Sequence, residues 1–322
     1  MRRRPSGGGR TMLKPTRRQF LRQTAVATGA LALGPLAADG QEAARTPADM
    51  AIARWAGADE APITDMAVKL TEQAMEAIGG MKRFVKSGDV VWVKPNIAWD
   101  RTPEQAANTN PDVVKTLVRL CYEAGAKTVK VGDNTCNDAA KSYPNSGIEA
   151  AAKEAGAEVV YLDRRRFREM EIGGPALKSI PVYPEIIESD LVINVPVVKH
   201  HSATTVTLCM KNYMGVVENR RKFHQDLPGT IRDITAFMKP RLCVLDAVRI
   251  LTANGPTGGD LADVKQMNLV AAGVDIVGLD ALGCEVLGHQ PDKIATVVAG
   301  FEAGLGQIDY RNKLSFRELE VA

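Results

Sequence analysis

Short apolar runs alternate with amphipathic segments from about residue 63 to the end of the chain. Runs rich in Val, Ile and Leu predict strands at residues 89–96, 127–134, 157–163, 191–198, 240–248 and 265–273. Apolar positions at helical spacing predict helices at residues 64–81, 111–125, 146–156 and 275–287. Several strands are apolar at successive positions, as expected where helices cover both faces of a parallel sheet. The pattern therefore predicts an α/β fold with a doubly wound, mostly parallel sheet flanked by helices.

The alternation is continuous enough to predict one domain over residues 63–322. The chain has 322 residues, which is sufficient for one large α/β domain, and we find no internal repeat. Residues 41–62 are predicted to form a polar linker in front of this domain.

Residues 1–40 resemble a twin-arginine export signal. Arg17-Arg18 precedes a mildly apolar stretch, "TAVATGALALGPLAA", which small and polar residues follow. This stretch of about fifteen residues is too short and too rich in Gly and Ala for a stable membrane span. We predict cleavage near residues 37–44, a periplasmic or other extracytoplasmic location, and the twin-arginine export machinery as a partner. Met1 and Met12 both stay open as the start of translation.

The formal net charge of +3 comes from this leader. Residues 1–40 contain eight Lys and Arg residues and one Asp, whereas the rest of the chain has 33 basic and 37 acidic residues. A slightly acidic domain gives no reason to expect a nucleic-acid partner.

The five cysteines have no C-x-x-C spacing, which argues against an iron–sulfur cluster and against a structural zinc site. Four of them have apolar neighbours and are expected to be buried: Cys121, Cys209, Cys243 and Cys284. Twin-arginine export of folded proteins favours a bound cofactor, whose identity stays open, with a metal ion among the alternatives.

Four predicted strands end in polar residues, and the carboxyl ends of parallel strands meet at one edge of a sheet. These ends are Lys94-Pro95-Asn96, Asp133-Asn134, Lys199-His200-His201 and Asp246. Lysine side chains at such an edge favour a site for a phosphate or carboxylate. A metal site is the alternative, with His201, His200 and Asp246 as its candidate ligands.

A Gly-rich segment, "NGPTGGD" at residues 254–260, offers backbone N–H groups to an anion. Its candidate binding residues are Asn254, Gly255, Gly258, Gly259 and Asp260. It lacks the P-loop order, and the chain contains no dinucleotide fingerprint, G-x-S-x-G elbow or H-E-x-x-H motif. A tight surface turn is the other interpretation of this segment.

An ordered set of motifs over residues 85–290 resembles the domain of unknown function 362 family. The motifs are "VWVKPN" (91–96), "TNPDVVKTLVRLCYEAGAKTVKVGDN" (109–134), "DLVINVPVVKHHSATTVTLCMKNYMGVV" (190–217), "LDAVRILTANGPTGGD" (245–260) and "GVDIVGLDALGCEVLG" (273–288). The resemblance implies an α/β fold and a pocket that includes the Gly-rich segment and Lys94, Asn96, Asp133, Lys199, His201, Lys211 and Asn212. Asp280 also matches the family pattern.

The chain departs from this family in two features. Many relatives carry a ferredoxin-like cysteine cluster that is missing here, so the resemblance does not extend to an iron–sulfur role. Relatives commonly have Lys-Thr-His where this chain has Lys199-His200-His201, so the resemblance selects His201 as the functional histidine.

These observations favour an enzyme that acts on a small anionic substrate by redox or proton-transfer chemistry, as an oxidoreductase or an isomerase. His201, Lys199 and Asp133 are its predicted catalytic residues, and Asp133 or Asp246 is expected to orient His201. The alternative is a non-catalytic protein that binds or delivers a metal or an anionic cofactor. A partner-binding module would leave the polar strand ends unexplained. The substrate and the oligomeric state stay open.

Overall fold

The computed structural model describes residues 46–57 and 61–322, so the predicted leader and its cleavage region lie outside the described residues. Within them, ten strands form one sheet and two form a separate hairpin. The strands are β1 (Met50–Trp55), β2 (Val90–Pro95), β3 (Thr128–Val131), β4 (Glu158–Val159), β5 (Arg168–Glu171), β6 (Ser179–Val182), β7 (Leu191–Val195), β8 (Val197–His201), β9 (Thr205–Thr207), β10 (Leu242–Leu251), β11 (Val264–Gly273) and β12 (Phe316–Val321).

The order along the large sheet is β12-β1-β11-β10-β7-β2-β3-β4, with β8 beside β10 and β9 beside β8. Strand β11 is antiparallel to both of its neighbours, and β8 and β9 form an antiparallel hairpin. The other strand pairs of this sheet are parallel. The prediction of a mostly parallel sheet is therefore confirmed.

Helices cover both faces of the sheet. The α-helices of the described residues are α1 (Ile63–Ala77), α2 (Pro111–Glu123), α3 (Ala139–Asn145), α4 (Ile148–Glu154), α5 (Pro184–Glu188), α6 (Cys209–Asn212), α7 (Leu227–Met238), α8 (Ile276–Val286), α9 (Ala295–Glu302) and α10 (Tyr310–Lys313). Local sequence explains the start of α2, where the Asn110 side chain accepts a hydrogen bond from Asp112 N and Pro111 occupies the first turn.

Alternate residues of the central strands enter two different hydrophobic cores. Val91 and Val93 of β2 pack into one core with α1, α2 and α4, whereas Trp92 between them packs into the other with α7, α8 and α9. Successive side chains of a strand point to opposite faces, so a strand covered on both faces must be apolar at every position. The predicted doubly wound arrangement is confirmed.

Two predictions about strands were wrong. Residues 50–55, inside the predicted linker, form β1, which lies between β11 and β12 in the sheet. Small alanines and Arg54 weakened its apolar pattern, although Met50 and Ile52 are fully buried. The predicted strand 191–198 is divided at Pro196 into β7 and β8, because proline has no N–H group for a strand ladder.

Within the described residues, no helix combines the length and the apolar character needed to cross a bilayer.

The parallel strands β2, β3 and β7 end at the same edge of the sheet. Beyond this edge the chain continues through the β8–β9 hairpin and returns in helix α6. The strand ends, the hairpin and α6 together surround the site described next.

Candidate functional site

A cavity of about 420 Å³ lies at the carboxyl ends of the parallel strands. Six of the residues predicted for the site contribute to its walls: Asn96, Asp133, Lys199, His201, Lys211 and Asn212. A volume of this size is in the range of small-molecule sites in proteins. The sheet therefore brings together side chains from three distant parts of the sequence.

Lys94 does not line the cavity but contacts Asp133, which does. Its Nζ lies 2.8 Å from Asp133 Oδ1 and donates a hydrogen bond to Pro95 O. The other carboxylate oxygen, Asp133 Oδ2, accepts a hydrogen bond from Ile97 N. Burial lowers the pKa of Lys94, and the charge of Asp133 opposes that shift. Asp133 is thus engaged by Lys94 and Ile97, and the predicted role of orienting His201 finds no contact here.

Gly215 closes over this ion pair. A Cβ atom at this position would overlap Asp133 Oδ1 and would lie 2.6 Å from Lys94 Nζ. The absence of a side chain therefore lets the backbone of the segment after α6 lie directly against the pair, and Gly215 O accepts a hydrogen bond from Asn134 N.

Lys199 is buried and forms part of the cavity wall. Its Nζ donates hydrogen bonds to Ala107 O at 2.5 Å and to Asn96 Oδ1 at 3.1 Å. Among the described residues no carboxylate forms an ion pair with it. Burial lowers the pKa of Lys199 to about 7, which places its proton exchange in the neutral range.

A chain of buried amides fixes helix α6 to the strand ends. Asn96 Nδ2 donates to Asn212 Oδ1 at 3.0 Å, and Asn212 Nδ2 donates to Asn194 Oδ1 at 2.9 Å. Asn194 Nδ2 in turn donates to Cys209 O at 2.8 Å. Asn96 and Asn212 were predicted as ligand-binding residues, whereas Asn194 was missed. An amide inside an otherwise apolar strand was the signal that could have identified it.

Asp280 holds the first turn of α6 from the opposite side. Its carboxylate accepts hydrogen bonds from Cys209 N at 2.6 Å and from Met210 N at 3.2 Å. Burial raises the pKa of Asp280 to about 7, although both N–H groups oppose the shift. The same helix presents Lys211 to the cavity, where burial lowers the pKa of its ammonium to about 8.

The two neighbouring histidines have different environments. His201 lines the cavity, and its Nδ1 accepts a hydrogen bond from Ala203 N at 3.0 Å. Burial, followed by the charges of Lys211 and Lys199, lowers the pKa of His201 to about 3. At neutral pH its imidazole is uncharged, and because Nδ1 is an acceptor the proton lies on Nε2. His200 instead accepts a hydrogen bond from Gly255 N at 3.1 Å.

Asp246 is placed away from the histidines with which it was predicted to hold a metal. Its two oxygens accept hydrogen bonds from Asn110 N at 2.7 Å and from Val248 N at 3.0 Å, and it does not line the cavity. Burial raises the pKa of its carboxyl to about 6. The described residues contain no group of three or more His, Cys, Asp or Glu side chains that could hold a metal ion.

The Gly-rich segment reaches the cavity only through Pro256 and Thr257, which were not among its predicted binding residues. Gly255 N is occupied by His200, Gly258 O accepts from Arg101, and Gly259 O accepts from the Gln105 side chain. Asn254 donates to Asp263, and Asp260 accepts from Ala262 N. These contacts hold the turn together, and the role of the five residues as an anion cradle stays a prediction.

Four cavity residues were missed: Trp99, Cys136 and Arg220 lie between the strands and outside the motifs quoted above, and Thr207 is the last residue of β9. Arg220 donates through Nε to Met214 O at 3.0 Å and through Nη1 to Cys136 Sγ at 3.1 Å. Within the described part of the chain, Thr207 Oγ1 and Trp99 Nε1 are buried without a hydrogen-bond partner. His224 also lines the cavity.

Three comparisons with known proteins place this geometry in context. The family model described as "Domain of unknown function (DUF362)" matches residues 91–285. A thylakoid-associated protein of Synechocystis sp. is 29% identical over 245 residues, which cover 72% of this chain and 73% of that protein.

The lactate racemase apoprotein of Thermoanaerobacterium thermosaccharolyticum is 12% identical, with a TM-score of 0.47. The superposition covers 75% of this chain and 57% of the racemase chain, so the chain spans little more than half of that protein. A similarity at this level gives no support for a shared chemistry.

Proposed function

The chain belongs to the DUF362 family, whose description assigns no function, and from the cavity itself we propose that it is an enzyme that binds a small carboxylate and transfers a proton at the carbon next to it. Such a reaction is an isomerisation or racemisation of an acid whose α-carbon carries a hydroxyl group and the hydrogen that is transferred. The observation that carries the proposal is the burial of Lys199 in the cavity wall without a carboxylate partner.

A buried lysine normally has a counter-charge, because removing an ammonium from water is costly. Lys94 shows how this fold provides one, with Asp133 at 2.8 Å. Lys199 has only the neutral oxygens of Ala107 and Asn96. A ligand carboxylate in the cavity would supply the counter-charge that Lys199 lacks, which favours an anionic substrate.

Four further groups would bind the same ligand. Lys211 contributes a second positive charge at the cavity wall. Three neutral donors belong to residues of the same cavity wall: the Nε2–H of neutral His201, the Thr207 hydroxyl and the Trp99 indole N–H. Together they would hold the carboxylate and the neighbouring hydroxyl group, and they would stabilise the charge that develops on the carboxylate oxygens when the α-proton is removed.

Lys199 is the residue to which we assign the proton transfer. Its pKa of about 7 allows it to accept and release a proton near neutral pH. His201, with a pKa of about 3, stays neutral there and serves as a hydrogen-bond donor, which differs from the acid or base predicted from the sequence.

The test is a two-step screen on the full chain. A panel of α-hydroxy carboxylates is first examined by thermal shift, and each binder is then incubated in D₂O and followed by NMR for exchange of its α-proton. We expect binding and exchange in the native protein, binding with at least a hundredfold slower exchange in Lys199→Gln, and native exchange in the control Lys313→Gln on the exposed α10. Binding without any exchange would support the non-catalytic binding protein instead.

For the location of the protein, we propose that residues 1–40 direct twin-arginine export. Arg17-Arg18 followed by an apolar stretch supports this. Fusion of residues 1–44 to a reporter that is active only after export tests it, because replacing both arginines by lysine should abolish export.

A further inference from the structure

Cys136 is the exposed cysteine among the five of this chain, whereas Cys121, Cys209, Cys243 and Cys284 are buried. It follows β3 and lines the cavity, and its backbone N donates to Ala98 O at 2.8 Å. The proton-transfer function proposed above does not use this thiol.

The surroundings of Cys136 are positively charged. Arg220 Nη1 donates to its sulfur at 3.1 Å, and Lys199 and Lys211 line the same cavity. The acidic residue in the cavity wall, Asp133, is already paired with Lys94. The positive charge around this thiol therefore attracts anionic reagents and repels cationic ones.

An independent feature indicates that a ligand enters this space. Thr207 lines the cavity and is only 4% exposed, and within the described residues its buried hydroxyl oxygen has no hydrogen-bond partner. Buried hydroxyl groups are almost always hydrogen-bonded in proteins, so this one indicates a missing acceptor such as a carboxylate oxygen.

We propose that Cys136 is a modification site, at which a small disulfide carrying carboxylates enters the cavity and forms a mixed disulfide. The Cys136 sulfur attacks one sulfur of the ligand, a new S–S bond forms, and the S–S bond of the ligand breaks. Cys136 is oxidised, the departing half of the ligand is reduced to a thiol, and that thiol takes up the proton lost by Cys136. The attached half occupies the cavity and blocks it for any other ligand.

The adduct is expected to persist until an external thiol removes it. The other four cysteines are buried, so none is available at the surface to displace the ligand and form an internal disulfide. Modification would thus switch the cavity off reversibly. This inference shares the cavity with the proposed enzyme but not its proton transfer.

Two probes of similar size and opposite charge test the proposal on the full chain: dithiodipropionate, which is anionic, and cystamine, which is cationic. The rate of adduct formation is measured by intact mass spectrometry, and the site is identified by peptide mapping. At low ionic strength we expect dithiodipropionate to react at least about tenfold faster than cystamine, because the cavity charges concentrate anions. In about 1 M salt the difference should largely disappear.

Variants identify the residues responsible. Cys136→Ser should form no adduct, Lys211→Gln should reduce the preference for the anion severalfold, and Lys313→Gln should leave it unchanged. Equal rates for the two probes, a salt-independent preference, or an adduct on another cysteine would overturn the proposal. The salt series on the native chain gives this answer even if Lys211→Gln does not fold. Because the readout is the adduct mass, failure of the proton-exchange assay would leave this result unaffected.

Discussion

Two buried lysines at the same edge of the sheet have opposite relations to the cavity. Lys94, in β2, faces away from it and contacts Asp133 at 2.8 Å. Lys199, in β8, faces it and has only neutral oxygens around its ammonium. Both are fully or almost fully buried, and both donate to a backbone carbonyl, so burial and hydrogen bonding alone do not distinguish them.

The counter-charge makes the difference. An ion pair that is complete within the protein contributes to the structure, because loss of either partner leaves the other charge buried. A buried ammonium without such a partner makes the empty site unfavourable, and an anionic ligand relieves that cost. Lys94 is therefore the structural member of this pair of lysines, and Lys199 is the member available for function.

The largest expected effect is a contrast in stability between Lys94→Met and Lys199→Met. Lys94→Met should lower the free energy of unfolding by about 3–5 kcal/mol, because Asp133 is left as an unpaired buried charge. Lys199→Met should change it by no more than about 1 kcal/mol at about pH 6, because the loss of two hydrogen bonds is offset by removal of a charge that is costly to bury. Urea unfolding measures both.

The lowered pKa of Lys199 determines how its effect on stability changes with pH. The folded value of about 7 lies below the unfolded value, so the cost of the buried charge is fully present below pH 7 and is relieved as the pH rises above it. Equal destabilisation by the two substitutions would contradict the distinction between the lysines.

A second contrast concerns Gly215, which covers the Lys94–Asp133 pair. Gly215→Ala should cost about 1–3 kcal/mol, because its Cβ would overlap Asp133 Oδ1 and displace the pair. The matched control is the same substitution in the Lys94→Met background, measured by urea unfolding. If Gly215→Ala destabilises the protein by displacing the Lys94–Asp133 pair, it should cost less in the Lys94→Met background than in the native chain. Equal costs in both backgrounds would show that the effect of Gly215→Ala does not depend on this pair.

The third prediction is that anion affinity falls as the pH rises from about 6 to about 9. Lys199 and Lys211, with pKa values of about 7 and about 8, bind an anion best when protonated, and each loses its charge above its pKa. Each deprotonation can weaken binding by up to about tenfold per pH unit. His201, with a pKa of about 3, is neutral throughout this range and contributes nothing to the slope.

Titration calorimetry with a carboxylate from the thermal-shift panel measures this dependence. In Lys199→Met the decline should begin about one pH unit higher, because Lys211 alone then titrates. An affinity that is constant between about pH 6 and about pH 9 would show that the charges of the two lysines do not contribute to ligand binding.

The central strands were predictable from sequence because burial on both faces makes most positions of β2 and β7 apolar, with Lys94 and Asn194 as the polar exceptions. Strand β1 was not predictable, because alanine is only weakly apolar and the strand does not stand out as an apolar run. The edge at which the site lies was also predictable, because parallel strand ends must meet there. Sequence alone did not show which polar side chains accept hydrogen bonds from the backbone and which face the cavity. Asp246 and His200 have the residue types of a site, yet each accepts from backbone N–H groups that only the folded chain brings near.

Most of the residues missed at the site come from connections between strands. Cys136 and Arg220 belong to such connections, Thr207 ends the three-residue strand β9, and their convergence depends on where the loops cross the sheet edge. Arg220 lies next to Arg221 and Lys222, a composition typical of a solvated surface. Sequence spacing contains no information about such contacts.

The smallest expected effect applies the same contrast to the two histidines. His200→Ala should cost about 1 kcal/mol of stability through the lost hydrogen bond from Gly255 N, while anion affinity changes less than about threefold. His201→Ala should change stability by less than about 0.5 kcal/mol, because the Ala203 N–H that it releases is exposed and can bind water. It should weaken anion binding by about tenfold, since it removes an N–H donor to a charged ligand. Urea unfolding and calorimetry on both variants measure the four values. The reverse assignment, with His200→Ala impairing binding more than His201→Ala, would mean that the Gly-rich segment has to be held in place before the cavity can bind its ligand.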